Sequence, residues 1–254
     1  MNEATRRVAV VIPAYNEAAT IADIVRRSRR QVDWIIVVDD GSDDATAAHL
    51  KDLPAMVIRH QENQGKAASL RDGMQLALAQ GAKAVLTLDA DGQHCPEDIP
   101  RLLAAGRCSP AAVIIAARLQ GREQSPWSRR FANKMADFWI SWAAGCPIPD
   151  TQSGFRLYPA AVCRLPVAHE RRHGFVFESE ILIEAARNGY YPKAVPIAAR
   201  YSRQGRRSYY RPLCDTVRIT RMVAWKLLAR GLYPQGLLRS LGLLSSFETP
   251  SPRE

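Results

Sequence analysis

The chain has 254 residues, a net charge of +10 at pH 7 and a hydrophobic content of 47%, so a folded protein of one large or two small domains is expected. Its five cysteines are odd in number and include no CxxC pair, which argues against a disulfide framework or a zinc site and fits a reducing cytoplasm. No apolar run approaches the roughly 18 to 20 residues of a membrane-spanning helix, and Pro13 breaks the N-terminal run too early for a signal peptide.

The first half of the chain alternates between strand-like and helix-like segments. Short apolar runs rich in β-branched residues predict five strands: "RVAVVIPAY" (7–15), "DWIIVVDDGS" (33–42), "AMVIRHQ" (55–61), "AKAVLTLDAD" (82–91) and "AAVIIAAR" (111–118). Apolar residues at helical spacing predict helices over 17–31, 43–53 and 66–81. This alternation predicts an α/β fold with a largely parallel sheet flanked by helices and joined by right-handed crossovers.

Three of these strands end in polar segments. They are "PAYNE" (13–17), "DDGSDD" (39–44) and "DADGQH" (89–94). Parallel strands place their carboxyl ends at one edge of the sheet, and ligands bind in the crevice beyond that edge. The three polar segments are therefore expected to meet there.

Asp89 and Asp91 lie two residues apart at a strand end, with Gln93 two residues further on. In an extended backbone the two carboxylates point the same way, and a turn brings Gln93 beside them. Such oxygen ligands suit Mg²⁺ or Mn²⁺, and Mg²⁺ commonly completes its shell with substrate phosphates. The alternative is a plain surface turn, in which Asp and Gly are favoured. The two neighbouring polar strand ends favour the metal.

The segment after the second strand is equally open to two interpretations. Asp43 or Asp44 suits the N-cap of the next helix, whereas Asp39 and Asp40 are placed to accept hydrogen bonds from a nucleoside. The chain contains neither GxGxxG nor GxxxxGK[ST]. A phosphate bound at this edge would therefore be held through a metal ion.

Four motifs in this order resemble family 2 glycosyltransferases of GT-A fold: "VVIPAYNE", "VVDDGSDDAT", "NQGKAASL" and "LDADGQHCPED". Two later segments, "DTQSGFRLYP" (150–159) and "GFVFESEILIEAARNGYYPKAVPI" (174–197), resemble the dolichyl-phosphate mannose synthase group and its bacterial polyprenyl-phosphate relatives. The resemblance covers roughly residues 7 to 210. It implies a GT-A domain over 1–210 and an inverting, metal-dependent transfer of a hexose from a nucleotide-sugar, of GDP-mannose or UDP-glucose type, to a polyprenyl phosphate.

The resemblance also implies roles for particular residues. Asp91, Arg118 and Arg203 are implied as catalytic residues, and Asp89, Asp91 and Gln93 as ligands of Mg²⁺ or Mn²⁺. The acceptor phosphate is assigned to Arg118, Arg130 and Asn133; Asn133, or Ser128, stands where the family often has serine. The implied donor-binding residues are Pro13, Tyr15, Glu17, Val37, Asp39, Asp40, Asp89 and Ala90.

The nature of the acceptor depends on whether a general base is present. An acceptor phosphate is already an anion and needs arginines to position it, whereas a hydroxyl acceptor needs a base to remove its proton. Asp150 and Glu178 are candidate bases, each with a structural alternative as a cap or a first-turn acid. Transfer to a hydroxyl of a lipid or cell-envelope glycan therefore stays open as the second interpretation.

The positive charge is concentrated near the C-terminus, where residues 200–239 contain ten arginines or lysines and one acid. A helical wheel of this segment separates an apolar side from a basic side; the apolar side is Leu213, Val217, Val223, Ala224, Leu227 and Leu228, and the basic side is Arg211, Arg218, Arg221, Lys226 and Arg230. This pattern predicts that residues 211–254 form a basic helical tail on an anionic membrane or, alternatively, a helix packed on the domain.

Taken together, these features predict a cytoplasmic enzyme held peripherally at the inner face of the plasma membrane. A nucleotide- or nucleic-acid-binding protein without catalysis is the alternative from another class. The apolar side of the tail and the absence of a recognisable nucleic-acid module disfavour it, so no nucleic-acid partner is expected.

Overall fold

We analysed a computed structural model that describes residues 7–120, 127–167, 174–198 and 212–244. Within these residues a single sheet has helices packed on both faces. The sheet has seven strands: β1 Val8–Ala14, β2 Ile35–Asp39, β3 Met56–Arg59, β4 Ala84–Thr87, β5 Val113–Gln120, β6 Arg156–Pro159 and β7 Pro192–Ala198.

The strand order is β3-β2-β1-β4-β6-β5-β7. Every neighbouring pair is parallel except those that include β6, which runs antiparallel between β4 and β5. The predicted fold class is confirmed, and all five predicted strands are present. The short strand β6 and the edge strand β7 were not predicted.

The helices cover both faces of the sheet and follow the strands in chain order. In the part of the chain that the structure describes they are α1 Ile21–Arg29, α2 Thr46–Leu50, α3 Lys66–Ala79, α4 Ile99–Cys108, α5 Trp127–Ala144, α6 Ala160–Cys163, α7 Gly174–Arg187, α8 Pro212–Leu228 and α9 Pro234–Ser240.

Two hydrophobic cores result, one on each face. One contains Met74 of α3, Ile140 of α5 and Leu182 of α7. The other contains Ile24 of α1 and Leu102 of α4. Each strand of the sheet centre is therefore buried on both sides, which is why its sequence is almost continuously apolar.

Helix α8 packs on the domain through Ile219, Val223 and Leu227, which recur every fourth residue and are 3 to 8% exposed. The predicted apolar side is wrong at Val217, Ala224 and Leu228. Val217 and Leu228 are 56% and 63% exposed, and Ala224 is exposed as well. The helix is therefore rotated relative to the wheel, and apolar side chains of α8 face outward.

An ion-pair cluster accounts for this rotation. The ammonium of Lys226, predicted to lie on the solvated side, is instead 2.8 Å from Glu180 and 2.7 Å from Glu184 of α7. Arg187 lies beside them and donates to the Lys226 carbonyl at 3.4 Å. Because Lys226 forms ion pairs with Glu180 and Glu184, its side chain is stabilised on the face of α8 that packs on the domain.

Candidate active site

The three polar strand ends meet at one edge of the sheet, as predicted. Strand β1 lies between β2 and β4 and is parallel to both, with Ala14 in register with Asp39. Strand β5 runs in the same direction as β4, because each is antiparallel to β6. Arg118, near the end of β5, is therefore delivered to the same edge.

The loops after β1 and β2 are joined by hydrogen bonds. Asn16, in a left-handed conformation with φ 55°, donates its backbone N–H to the Ser42 hydroxyl at 3.0 Å. The Glu17 N–H donates to the Thr46 hydroxyl at 2.8 Å. These bonds hold Tyr15 and Glu17, both half-buried, close to the end of β2.

Asp39 has an oxygen suited to a ligand. Its side chain is fully buried, and Oδ1 accepts the Ser42 N–H at 3.0 Å. Oδ2 accepts no hydrogen bond from a described residue and lies 3.4 Å from Nε of Arg59. A buried carboxylate oxygen normally has a hydrogen-bond donor, so this atom fits the N–H or hydroxyl of a nucleoside. Pro13 and Val37 are buried within β1 and β2 beside it.

Asp40, in contrast, is fully engaged by the protein. Its carboxylate accepts the backbone N–H groups of Gln64 and Gly65 at 2.9 and 2.8 Å and lies 2.7 Å from Nδ1 of His60. The other ring nitrogen of His60 is 3.0 Å from Asp72. Asp40 thus fixes the turn in front of α3 and, through it, the position of the first residue of that helix.

Asp89, Ala90, Asp91 and Gln93 form a tight turn after β4. The Gln93 N–H donates to Oδ1 of Asp91 at 2.9 Å, and Ala90 is buried. Burial and the neighbouring charge of Asp89 raise the pKa of Asp91 from 3.8 to about 6. The charged form of Asp91 is therefore disfavoured, first by burial and then by the Asp89 charge, and a divalent cation at this carboxylate would stabilise it.

The ligand set fits such a cation when a substrate completes it. Two carboxylates and the Gln93 amide supply the hard oxygens that Mg²⁺ and Mn²⁺ prefer. Among the described residues no three His, Cys, Asp or Glu side chains converge as a metal cluster. Phosphate oxygens of a bound nucleotide are one source of further ligands at this turn.

Lys66, the first residue of α3, reaches the same turn. Its ammonium lies 2.6 Å from Oδ1 of Asp89 and 3.0 Å from Glu178 of α7. Burial alone would lower the pKa of Lys66, but the two carboxylates together raise it above its usual range. Burial likewise disfavours the charged form of Asp89, yet chiefly the Lys66 charge keeps its pKa low.

Arg118 and Asp150 form a two-pronged ion pair. Nε and Nη2 of Arg118 donate to the two carboxylate oxygens at 3.0 and 2.8 Å, and the Arg118 backbone N–H donates at 2.7 Å. Asp150 is 2% exposed and has a left-handed backbone with φ 52°. Both candidate bases are thus in ion pairs, Asp150 with Arg118 and Glu178 with Lys66.

The other residues predicted to bind the acceptor phosphate lie on the surface of α5 or outside the described residues. Arg130 is exposed and Asn133 half-buried, both on α5. That helix is joined to the loop that holds Asp150, because Asp137 accepts the N–H and the hydroxyl of Thr151 at 2.8 and 2.7 Å. Arg203 lies outside the described residues.

Three residues at this site were not predicted from the sequence. Lys66 could have been suspected, since a cation at a helix N-terminus opposes the helix dipole and needs another reason to be there. His94 is buried, its Nδ1 has no hydrogen-bond partner among the described residues, and burial lowers its pKa to about 4. Gly154 lies so close to Asp89 that a Cβ there would be 2.3 Å from Oδ2; nothing local in the sequence signals this contact.

The sheet order, the paired aspartates after β4 and the buried acid after β2 define a nucleotide-sugar transferase of GT-A type. The sequence pattern described as "Glycosyl transferase family 2" matches residues 9–164. The chain belongs to glycosyltransferase family 2.

Two relatives have names that refer to dolichyl or polyprenol phosphates. The UDP-N-acetylglucosamine–dolichyl-phosphate N-acetylglucosaminyltransferase of Methanococcus voltae is 27% identical over 78% of this chain and 88% of its own length. The polyprenol monophosphomannose synthase of Mycolicibacterium smegmatis is 31% identical, over 76% of this chain and 77% of its own.

Solved structures share the fold. Glucosyl-3-phosphoglycerate synthase of Mycobacterium tuberculosis, in complex with Mn²⁺, UDP and glucosyl-3-phosphoglycerate, has a TM-score of 0.62 at 23% identity, with 89% of this chain and 80% of that chain covered. Mannosyl-3-phosphoglycerate synthase of Rubrobacter xylanophilus has a TM-score of 0.63 at 17% identity, with 99% and 82% covered.

Proposed function

We propose that this glycosyltransferase moves a hexose from a nucleotide-sugar to a polyprenyl phosphate with the help of Mg²⁺ or Mn²⁺. The names of the relatives support the acceptor class. The observation that carries the proposal is the engagement of both candidate bases: Asp150 and Glu178 are each bound by a basic side chain. A phosphate acceptor needs no base, whereas a hydroxyl acceptor does.

In this proposal Asp89, Asp91 and Gln93 hold the cation, which neutralises the charge developing on the leaving diphosphate. Oδ2 of Asp39, which accepts no hydrogen bond from a described residue, receives the nucleoside, with Tyr15 and Glu17 beside it. Arg118, oriented by Asp150, binds the acceptor phosphate.

The proposed reaction is a single displacement with inversion. The bond from the anomeric carbon to the diphosphate breaks and its electron pair leaves with the diphosphate. An oxygen of the acceptor phosphate forms the new bond from the opposite face. No proton needs to be removed, and the residues of the site only bind, orient and exclude water. Arg130 and Asn133 are expected on the acceptor side, as is Arg203.

An apolar stripe on α5 supports a lipid acceptor. Trp127, Phe131, Met135 and Trp139 recur every fourth residue and are all exposed, Trp127 by 75%. Helix α5 is joined to the loop that holds Asp150 by the Thr151–Asp137 hydrogen bonds described above. A chain attached to a phosphate at Arg118 would therefore find an apolar surface close by.

Helices α8 and α9, which contact α5, also carry exposed apolar side chains. These are Trp225 and Leu228 of α8 and Leu241 after α9, and Arg221 and Arg230 are exposed as well. None of the described helices is long and apolar enough to cross a bilayer. We propose that α5 and the 211–254 tail rest on an anionic membrane, with apolar side chains inserted and arginines at the headgroups.

Transfer is tested with the purified chain, Mn²⁺ or Mg²⁺, radiolabelled UDP- and GDP-sugars and undecaprenyl phosphate in detergent, followed by organic extraction. Label is expected in the organic phase with the phosphate acceptor only. The matched acceptor is the corresponding polyprenol, which presents a hydroxyl on the same chain. Transfer to the polyprenol alone would replace this proposal by the hydroxyl-acceptor function, and activity undiminished in excess EDTA would refute the role of the metal.

Membrane contact is tested by co-sedimentation with vesicles containing phosphatidylglycerol. The double substitution Trp127→Ser/Phe131→Ser should reduce binding, whereas Val57→Ser, at an exposed apolar residue of the edge strand β3, should not. Unchanged binding of the double variant would show that α5 does not contact the bilayer.

A further inference from the structure

The ammonium of Lys66 lies next to Asp89, in the space that a metal ion bound to this carboxylate would need. Its ammonium contacts Oδ1 of Asp89 at 2.6 Å, and Asp89 is one of the two carboxylates assigned to the cation. A divalent cation bound to Asp89 would therefore lie beside a positive charge, and two like charges at such short range repel strongly.

Without the ammonium this part of the site would be strongly anionic. Glu178 is 7% exposed at its side chain and lies 3.0 Å from Lys66. Its backbone is held by Arg156, a buried residue that donates to the Glu178 carbonyl at 2.6 Å. The carboxylates of Asp89 and Glu178 are thus brought together by the fold, and Lys66 supplies the charge that compensates them.

The start of α3 is itself fixed. Asp40 binds the N–H groups of the two residues in front of Lys66, and Gly65 enters the helix with φ +93°. The main chain at Lys66 is therefore anchored, while its side chain is the flexible part. Only rotations within this side chain are needed to move the ammonium away from Asp89.

We propose that Lys66 is an exchangeable counter-ion. In the metal-free enzyme it neutralises Asp89; when cation and donor arrive together, the cation takes Asp89 and the ammonium, still paired with Glu178, moves to the diphosphate. Metal and nucleotide then favour each other's binding. The diphosphate draws the Lys66 ammonium away from Asp89, which makes room for the cation, and the cation displaces the ammonium towards the diphosphate. This inference rests on the proposed function and concerns the order and linkage of binding at the same site.

The direct test measures Mn²⁺ binding to the full chain by the loss of the free-ion electron paramagnetic resonance signal, without nucleotide and with UDP or GDP. The main variant is Lys66→Met/Glu178→Gln, which removes the ion pair while leaving the net charge unchanged. Without nucleotide it should bind Mn²⁺ about fivefold or more tightly than the natural chain, the size expected of a coupling between sites. The enhancement of Mn²⁺ binding by the nucleotide should shrink by the same factor.

Two further variants make the result specific. Lys66→Arg keeps the positive charge and should bind Mn²⁺ alone as weakly as the natural chain. Lys83→Met removes a lysine at the opposite edge of the sheet, next to the start of β4, and should change nothing. Should the double variant not fold, the same comparison is made with Lys66→Met, refolded in the presence of Mn²⁺ and then dialysed.

Equal or weaker Mn²⁺ binding by the double variant without nucleotide would overturn the proposal, even if transfer to polyprenyl phosphate is observed. Tight Mn²⁺ binding by the natural chain without nucleotide, unaffected by UDP or GDP, would also overturn it. The proposed function fails separately, if no labelled sugar reaches any polyprenyl acceptor.

Discussion

Replacing Asp91 by asparagine should stabilise the metal-free protein while it stops transfer. The pKa of this carboxyl is raised from 3.8 to about 6, first by burial and then by Asp89. The folded protein therefore holds the charged form at a free-energy cost that the unfolded chain does not have. Asparagine has nearly the same shape, keeps an acceptor for the Gln93 N–H and carries no charge.

The expected gain in the free energy of unfolding follows from the raised pKa of Asp91. A pKa difference of roughly two units, at about 1.4 kcal/mol per unit, gives an upper limit of about 3 kcal/mol in the free energy of unfolding. Below about pH 4 both states protonate Asp91, and the cost vanishes. It grows as the pH rises from 3.8 to about 6, and above that it is fully present. The advantage of Asp91→Asn is therefore expected near neutral pH and not in acid.

The assay is urea unfolding of both proteins in EDTA, followed by tryptophan fluorescence, at about pH 7.5 and about pH 4. The variant should be more stable only at the higher pH. In Mn²⁺ and nucleotide the order should reverse, since the natural chain alone gains stability from the bound metal. Equal stability of the two proteins at both values of pH would refute the electrostatic reasoning.

Three further substitutions test the geometry of the site. Gly154→Ala should weaken Mn²⁺ binding in the presence of nucleotide at least tenfold, because the new Cβ would lie 2.3 Å from Oδ2 of Asp89. Unchanged Mn²⁺ affinity in isothermal titration would contradict this contact. Asp150→Asn tolerates the left-handed backbone but weakens the ion pair, so it should lower stability by about 3 kcal/mol and raise KM for the acceptor more than for the donor. If KM for both substrates stayed constant, Arg118 would not need Asp150 for its position. Asp40→Ala removes the hydrogen-bond acceptors of the turn before α3 and should destabilise the protein by about 2 to 4 kcal/mol in chemical unfolding. A loss below about 1 kcal/mol would show that this turn does not depend on the Asp40 carboxylate.

The sheet and its functional edge were predictable because the signal is local. Strands buried on both faces read as short apolar runs rich in β-branched residues, and the polar segments that follow them stand out in the sequence. Once such strands are parallel, topology alone brings 13–17, 39–44 and 89–94 together.

The remainder depends on contacts between distant parts of the chain. Lys66 meets Glu178 across 112 residues, and neither residue's surroundings in the sequence indicate the other. Strand β6 has four residues and contains a proline, which is too short for a periodic signal. The orientation of α8 was mispredicted at Val217 because a wheel places every lysine in water, whereas Lys226 finds two carboxylates on α7.

The antiparallel direction of β6 has a consequence for how the chain folds during synthesis. Arg156 pairs with Thr87 at the carboxyl end of β4, so the loop before β6 arrives at the catalytic edge from the opposite direction. Until it emerges from the ribosome, β4 is paired with β1 on one side only, and its other side is an edge open to pairing with another chain. Asp89 also lacks its contact with Gly154 until then. A nascent chain that ends near residue 120 would thus carry the turn proposed to bind the metal and the strand ends proposed to bind the nucleoside, yet would be prone to aggregate rather than bind a donor.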